Sequence, residues 1–341
     1  MFTDYIAEMT ATFIDPRKRV FVGYLLLAVF IAVSWVCFYQ RRSFRDALAL
    51  LFSPAIWLSS SAKLDYLLLV INKALMLLLS PMLLAQLTLA SAIFYGCYEL
   101  FGQRTIVLAE APDWVIALLF TTIYFLLDDF FRFFTHRLMH RWPWLWAFHK
   151  VHHSATVLTP LTIFRTHPVE AIIFVLRSSC VQGVVIGALV FFLGDRADIM
   201  TVLGANVVIF IFNLVGSNLR HSHVAIHYSR SLELIFMSPA QHQIHHSVDA
   251  CHYDKNFGVV LSVWDRLFGS HHFSQKQQTL RFGLDASATE VSHSLWSAYI
   301  VPFVESAGCI KQAIFRLTRC CRLWREQRIG FRTPTINKVP K

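Results

Sequence analysis

Eleven of the sixteen histidines in this 341-residue chain fall in three short segments. The first, "THRLMHRWPWLWAFHKVHHS" from Thr135 to Ser154, holds His136, His140, His149, His152 and His153. The second holds His221, His223 and His227, and the third, "HQIHH", holds His242, His245 and His246. On a helix, residues four apart share a face. His136 and His140 meet that spacing, as do His223 and His227. His149, His152 and His153 stand at i, i+3 and i+4, and the third segment repeats the pattern. Neutral imidazole binds iron, copper, nickel or zinc, and two histidines on one helix face grip an ion in the H-E-x-x-H zinc helix. A lone histidine in a membrane protein is more often a hydrogen-bonded packing residue. So many imidazoles taken out of water together, with no shared cation, would be costly. Metal binding accounts for the whole set.

Several metal chemistries fit less well. A hydrolytic zinc site needs three ligands and a base, fewer than are present. A haem between membrane helices takes one axial histidine from each of two spans, whereas these histidines lie at and beyond the ends of apolar runs. A transporter places polar groups near the bilayer midplane, where this chain has few, chiefly Asn72, Arg177 and Asn206. A metal transporter or store and a bis-histidine haem electron carrier remain the rivals from other classes. A two-metal, oxygen-activating site with nitrogen ligands fits best.

The elements that must hold these residues are membrane helices. The chain is 55% hydrophobic and only 15% charged, with a mean hydropathy of +0.50, against about 25% charge in a soluble domain. Five apolar runs approach the roughly 20 residues that cross hydrocarbon: Val20–Tyr39, Ala74–Tyr98 with a break near Pro81, Trp114–Leu127, Ile172–Leu193 and Ile199–Leu219. The last two form a hairpin around a Gly194-Asp195-Arg196 turn, which returns both histidine regions to one side of the membrane. Arg41, Arg42 and Arg45 and a basic C-terminal tail, nine Lys or Arg against Glu326 alone from Lys311 onward, point to the cytoplasmic side. The tail fits anionic lipid headgroups better than nucleic acid. No small-residue cleavage site follows the first run, so no cleaved signal peptide is expected. The seven cysteines contain no C-x-x-C and read as reduced, packed thiols. The expected fold is an all-α integral membrane protein with four to five transmembrane helices and a cytosolic helical cap. Residues 1–112 would be membrane helices, 113–280 the catalytic domain and 281–341 an amphipathic, basic tail.

These motifs resemble the fatty acid hydroxylase superfamily, which includes sterol desaturases, sphingolipid hydroxylases and alkylglycerol monooxygenases. The resemblance runs from about Asp128 to Ser270, through "DDFFRFFTHRLMHRWPWLWAFHKVHHS", "FRTHPVE", "NLRHSHV", "SPAQHQIHHS" and "DKNFGVVLSVWDRLFGS". It implies a di-iron centre in the cap, with zinc able to take the site in a purified protein. It further implies O2 as co-substrate, a lipid substrate, and hydroxylation or desaturation driven by external electrons. No haem or flavin fingerprint is present in the sequence, so a separate ferredoxin or haem protein with its reductase is the expected donor. The resemblance makes His136, His140, His149, His152, His153, His242, His245 and His246 metal ligands. It leaves His221, His223 and His227 open: some branches have one histidine near His221, others an H-x-x-x-H that His223 and His227 match. A bacterial inner-membrane location and hydroxylation in preference to desaturation follow from the branch it looks nearest.

Other residues carry weaker expectations. An all-imidazole site raises the demand for nearby anions, which makes Asp128 and Asp129 candidates to orient a ligand; Asp129 could equally pair with Arg132. Asn256 belongs with Asp254 and Gly258 to a turn and is a candidate supporting residue. Trp264, Asp265 and Arg266 read as cap structure. His167, Arg177 and Trp146 are candidate substrate contacts, with a helix start, a snorkelling or paired arginine, and membrane anchoring as their plainer readings. His252, His271, His272 and His293 are expected on the surface or in loops.

Overall fold

The computed structural model describes residues 2–79, 85–102, 106–194, 196, 199–202, 205–275, 280–284 and 293–330. The N-terminal region comprises α1 (Phe2–Ile14), α2 (Val22–Ser34, prolonged by a π-helical turn Trp35–Tyr39), α3 (Phe44–Leu51), α4 (Pro54–Trp57), α5 (Ser60–Leu79) and α6 (Ala85–Phe101). Next come α7 (Asp113–Arg141), α8 (Pro143–His153) and α9 (Pro168–Leu193). Two-residue strands β1 (Thr201–Val202) and β2 (Ala205–Asn206) pair antiparallel, with Thr201 opposite Asn206. The rest is α10 (Val207–Leu214), α11 (Arg230–Glu233), α12 (Pro239–His245), α13 (Val263–Leu267), α14 (Leu295–Tyr299) and α15 (Val301–Gly330).

Among the described residues, three helices are long and apolar enough to cross a bilayer: Val22–Tyr39, Asp113–Arg141 and Pro168–Leu193. A fourth crossing requires Phe44–Trp57 and Ser60–Leu78, bent by 74° at their junction, to act as one span. The protein is therefore an all-α membrane protein with three to four candidate spans among the described residues, meeting the expected four to five at four. The described parts of the expected Ala74–Tyr98 span belong to the end of α5 and to α6; the break near Pro81, like Asp195 in the expected turn, lies outside the described residues. The expected span Ile199–Leu219 is not one. Its described residues form the β1–β2 pair, the eight-residue α10 and a 3-10 turn Ser217–Arg220. Two residues divide it. Asn206 caps α10, its Oδ1 accepting from the Val208 N–H at 3.0 Å, and Gly216 at φ +95° takes a left-handed conformation that ends a helix.

Local chemistry sets the ends of the helices that matter most. Asp113 in the first turn of α7 and Arg141 in its last suit the helix dipole. Trp142 is extended, as a residue before proline must be, and Pro143 opens α8 at its first turn. His167 caps α9, accepting from the Val169 N–H at 3.1 Å, with Pro168 next in the chain. Ser238 and Gln241 form a reciprocal capping box at the start of α12, again with proline at the first position.

α8 is wedged between other elements. Val151 packs with Leu64 and Leu68 of α5 and Ala298 of α14. The Phe148 and Phe303 rings lie 5.3 Å apart, and Lys150 pairs with Glu305 of α15. Beneath the end of α8, the fully buried Arg165 donates to the Val151 carbonyl at 3.1 Å, to Ser154 Oγ at 3.0 Å and to Asp65 Oδ1 at 2.9 Å. Breaking a buried pair of this kind costs about 3–5 kcal/mol. His293, expected at the surface or in a loop, lies in a bend and joins this network at 2.9 Å from Arg165, and His252 is buried.

Candidate metal centre

Helix geometry brings the histidines together. The last turns of α7 carry His136 and His140, the last turns of α8 carry His149, His152 and His153, and α12 with its cap carries His242, His245 and His246. His221 follows the 3-10 turn Ser217–Arg220. Their ring nitrogens form two foci. His136, His140, His149, His153 and His245 make one, His152, His221, His242 and His246 the other, and within each focus the candidate atoms lie within 4.8 Å of one another.

The contacts within the foci are not a hydrogen-bond network that imidazoles alone could satisfy. His221 Nε2 lies 3.0 Å from His242 Nε2, 3.2 Å from His246 Nε2 and 3.3 Å from His152 Nε2. A neutral imidazole has one N–H, so one nitrogen cannot serve three such neighbours. In the first focus, His149 Nε2 lies 3.1 Å from His136 Nε2 and 3.2 Å from His153 Nε2. There His140 Nε2 and His245 Nε2 are buried without any hydrogen-bond partner. Converging, orphaned lone pairs are what a cation would satisfy.

The opposite edges of three rings are tied down. His136 Nδ1 donates to the Phe257 carbonyl at 2.8 Å, His245 Nδ1 to the Lys255 carbonyl at 2.8 Å, and His149 Nδ1 to Glu170 Oε1 at 2.9 Å. Each bond puts the ring proton on Nδ1 and leaves Nε2 free as a donor to metal. The loop that supplies the two carbonyls holds non-glycine residues in the left-handed region, Asp254 at φ 58° and Asn256 at φ 55°. Asn256 is locked there: Nδ2 donates to the carbonyls of Gln241 and His272 at 3.1 and 3.0 Å, and Oδ1 accepts from the His272 N–H at 2.7 Å. Asp265 accepts from the N–H groups of Phe257 and Gly258 at 2.8 and 2.7 Å.

Burial pushes His149, His153, His221, His242, His245 and His246 well below the usual imidazole range, and His152 down to about 3. At neutral pH these rings are uncharged, the form that ligates a metal.

The other sequence candidates have different places. His223 Nε2 donates to the Leu50 carbonyl at 2.8 Å, and His227 Nδ1 meets Ser274 Oγ at 2.9 Å; neither belongs to a focus. Asp128 pairs with Arg132 at 2.8 Å and with Arg177 across the α7–α9 interface. It touches no imidazole, and Arg177 is accounted for as its partner. Asp129 neither orients a ring nor pairs with Arg132. It accepts from the N–H groups of Val260 and Leu261 and from Trp264 Nε1, at 3.0, 3.1 and 3.0 Å, and so holds the loop that follows Phe257. His167 caps α9 and lies 3.2 Å from the Tyr299 carbonyl. Trp146 stacks near His140, ring centroids 4.9 Å apart.

Sequence reasoning missed Glu170, Arg165 and Arg19. Glu170 was in view within "RTHPVE", but an acid in a first helical turn is accounted for by the dipole alone, so its buried contact with His149 had no separate sign in the sequence. Arg19 Nη2 donates to the Ser217 carbonyl at 2.8 Å and lies 3.4 Å from His221 Nδ1; nothing near it in sequence marks that contact.

One cavity adjoins the centre and a second lies along α10. One of about 350 Å3 has His140, His153, His245 and His246 in its wall, together with Trp146 and Tyr253. The other, of about 440 Å3, is an apolar groove between α10 and the Tyr228–Met237 segment.

Comparison with known proteins agrees with this geometry. Residues 121–270 match the fatty acid hydroxylase family. The chain is 28% identical over 157 residues to ornithine lipid hydroxylase OlsE of Rhizobium tropici, covering 46% of this chain and 43% of that protein. It is 29% identical over 160 residues to alkylglycerol monooxygenase of Homo sapiens, covering 47% and 32% respectively, and 22% identical over 193 residues to the Caenorhabditis elegans enzyme of that name, covering 55% and 34%. The matched segment thus spans less than half the length of each of these relatives. No solved structure matches. The family match encloses every histidine of both foci, from His136 to His246, and with the named relatives it places the segment 121–270 of this chain with the fatty acid hydroxylase superfamily.

Proposed function

We propose that the protein is an O2-dependent lipid hydroxylase with two iron ions, one held by His136, His140, His149, His153 and His245 and the other by His152, His221, His242 and His246. The observation that carries this is the pair of adjacent foci, with orphaned nitrogens aimed inward and Nδ1 edges fixed outward. The donor set fits: nine neutral imidazoles, none spent on an internal salt bridge except His149, whose carboxylate partner is on its far edge. Bound iron supplies the reduction of O2 and the oxidation of an unactivated C–H bond, with electrons from a separate ferredoxin or haem protein. The protein's own part is to hold nine rings in register, keep them neutral by burial, and admit the lipid from one side.

We place the catalytic unit in residues 113–280, with 1–112 contributing Arg19 and Asp65 from outside it and α15 bracing α8. We put the cap on the cytoplasmic face of a bacterial inner membrane. Arg41 and Arg42 precede α3 and Arg45 lies in its first turn, and α3's Ala47 and Leu51 pack with Leu219, Val224 and Ile226 beside His221. The positive charge and the histidines therefore share a side, the cytoplasmic one by the positive-inside rule.

The test is lipid analysis of an aerobic host that has a competent electron donor, expressing the protein or its His152→Ala variant. Hydroxylation adds about 16 mass units to a lipid and desaturation removes about 2, the mass of one oxygen or two hydrogens. The expected result is an addition that the variant lacks. No lipid shifted by either amount would sink the proposal.

A further inference from the structure

The two foci differ in what stands behind their rings. In the first, Phe257, Lys255 and Glu170 accept from Nδ1 of His136, His245 and His149. In the second, Nδ1 of His152, His242 and His246 is buried without a partner, and Nδ1 of His221 faces Arg19 Nη2 at 3.4 Å. An arginine is a donor only. It cannot take the proton that a ring binding metal through Nε2 carries on Nδ1.

Arg19 is not the only cation there. Its Nη2 donates to the Ser217 carbonyl at 2.8 Å, and Arg220 Nε donates to the same oxygen at 3.3 Å. Two guanidiniums, both charged at any ordinary pH, thus converge on one neutral acceptor. Among the described residues neither has a carboxylate within hydrogen-bond reach. The contrast with the adjoining residues is sharp: Arg17 pairs with Asp15 at 2.7 Å and Lys18 with Glu8 at 4.0 Å. Burial and the Arg220 charge push Arg19 well below its ordinary range, the mark of a cation short of a counter-charge. Asp129 acts on Arg220 from a distance, but its oxygens are spent on Val260, Leu261 and Trp264. Arg19 Nε is buried without a partner. Arg220, 3% exposed, uses only Nε and Nη1, the latter on the Val259 carbonyl at 2.7 Å. Like charges out of water with spare N–H groups call for an anion, and paired guanidinium forks match a phosphate.

The apolar groove along α10 ends at this pair. Arg220 packs 5.0 Å over the ring of Phe212, a wall residue, and its acceptor Val259 precedes the wall residue Val260. Val215, also in the wall, lies two residues before Ser217. The rim residues Ile211, Val215, Leu232 and Phe236 are 53%, 51%, 48% and 42% exposed, a face suited to hydrocarbon. No histidine lines the groove among the described residues. An apolar trough closed at one end by two cations has the polarity of a phospholipid.

We propose that an anionic phospholipid binds here as a component of the protein, its phosphate on Arg19 and Arg220 behind His221 and one acyl chain in the groove between α10 and the Tyr228–Met237 segment. An oxyanion at Arg19 offers His221 Nδ1 an acceptor of the kind that Phe257, Lys255 and Glu170 give the first focus. The site stands apart from the hydroxylase reading and is tested on metal-free protein. The full-length chain is purified in detergent, freed of metal with a chelator and of lipid by exchange. It is then titrated with phosphatidylglycerol, with diacylglycerol of the same chains and with inorganic phosphate, and binding is counted by native mass spectrometry. The expected result is one phosphatidylglycerol per chain, held about 10–100-fold more tightly than the diacylglycerol, the worth of a charge-assisted contact. Arg19→Gln should remove most of that preference, while Arg42→Gln, at an exposed arginine outside the pair, should keep it. Leu232→Trp, at the rim of the groove, should weaken both lipids alike. If the two lipids bind equally, or Arg19→Gln keeps the preference, the phosphate does not sit on this pair. If inorganic phosphate binds as tightly as phosphatidylglycerol, or Leu232→Trp leaves lipid binding unchanged, the groove holds no chain and the phospholipid is overturned. The comparison of the three probes on the parent protein decides the matter even where a variant fails to fold.

Discussion

Glu170 offers a test that tells the two foci apart. Among the hydrogen bonds and ion pairs of the centre, its only contact is with His149, at 2.9 Å, and both side chains are buried. Its second oxygen has no partner. In Glu170→Gln the amide oxygen can still accept from Nδ1, and the amide nitrogen takes the place of the unpartnered oxygen. What is lost is at most the difference between a charged and a neutral hydrogen bond, about 1–1.5 kcal/mol, or at most about tenfold in affinity for one ion. Glu170→Ala leaves a buried N–H unpaired and should approach the upper end of the roughly 10–100-fold range for such supporting groups. The assay is a chelator titration of metal-loaded protein in detergent, with bound metal counted by mass spectrometry. Two ions per chain should divide into one that leaves early in the Glu170 variants and one that does not. His149→Ala should abolish the labile ion outright. If Glu170→Ala keeps both ions as firmly as the parent while His149→Ala loses one, the carboxylate does not support that ligand; if His149→Ala keeps both, the assignment of His149 to a focus fails.

Two further outcomes follow from the same geometry. Because burial holds the cluster imidazoles below their unfolded value of about 6.5, the unfolded chain binds more protons than the folded one beneath that pH, so stability falls as pH falls; for His152 the loss continues to about 3. Each such ring should cost about 1.2 kcal/mol between pH 7 and 5.5, seen as a cooperative fall in the melting temperature of the metal-free protein; a melting temperature flat over that interval would contradict it. Asn256→Ala should remove three hydrogen bonds and place alanine at φ 55°, a loss of more than about 2 kcal/mol. Asn256→Gly, which tolerates the φ, should recover part of the stability, and equal loss in both would rule out backbone conformation as a cause.

The parts of this centre that could be read in the sequence are those governed by helix periodicity. His136 with His140, and each H-x-x-H-H, sit on α7, α8 and α12 at the spacing that puts them on one face. The middle segment obeys no such period. Gly216 turns left-handed and the chain after Arg220 is irregular, so the i, i+4 spacing of His223 and His227 has no geometric meaning and only His221 reaches a focus. Hydropathy misjudged Ile199–Leu219 for a related reason: an apolar run can be broken by a cap such as Asn206 without losing its apolarity. Asp129 shares a helix face with His136 in sequence, yet its partners lie 131 to 135 residues away. No local pattern announces a contact of that range, and the same holds for Arg19 and His221.

The carbonyls of Lys255 and Phe257 have an implication for how this centre can vary and be probed. A main-chain acceptor survives replacement of its own side chain, so an alanine scan would pass over position 255 with little sign that a ring depends on it for its aim, while at the fully buried Phe257 it would report lost packing against His136 and His245 rather than the acceptor. The sensitivity moves instead to the neighbours that dictate which way each peptide unit faces, Asp254 and Asn256, neither of which belongs to a focus. Drift at Lys255 is then cheap, and loss of handedness one residue away is not.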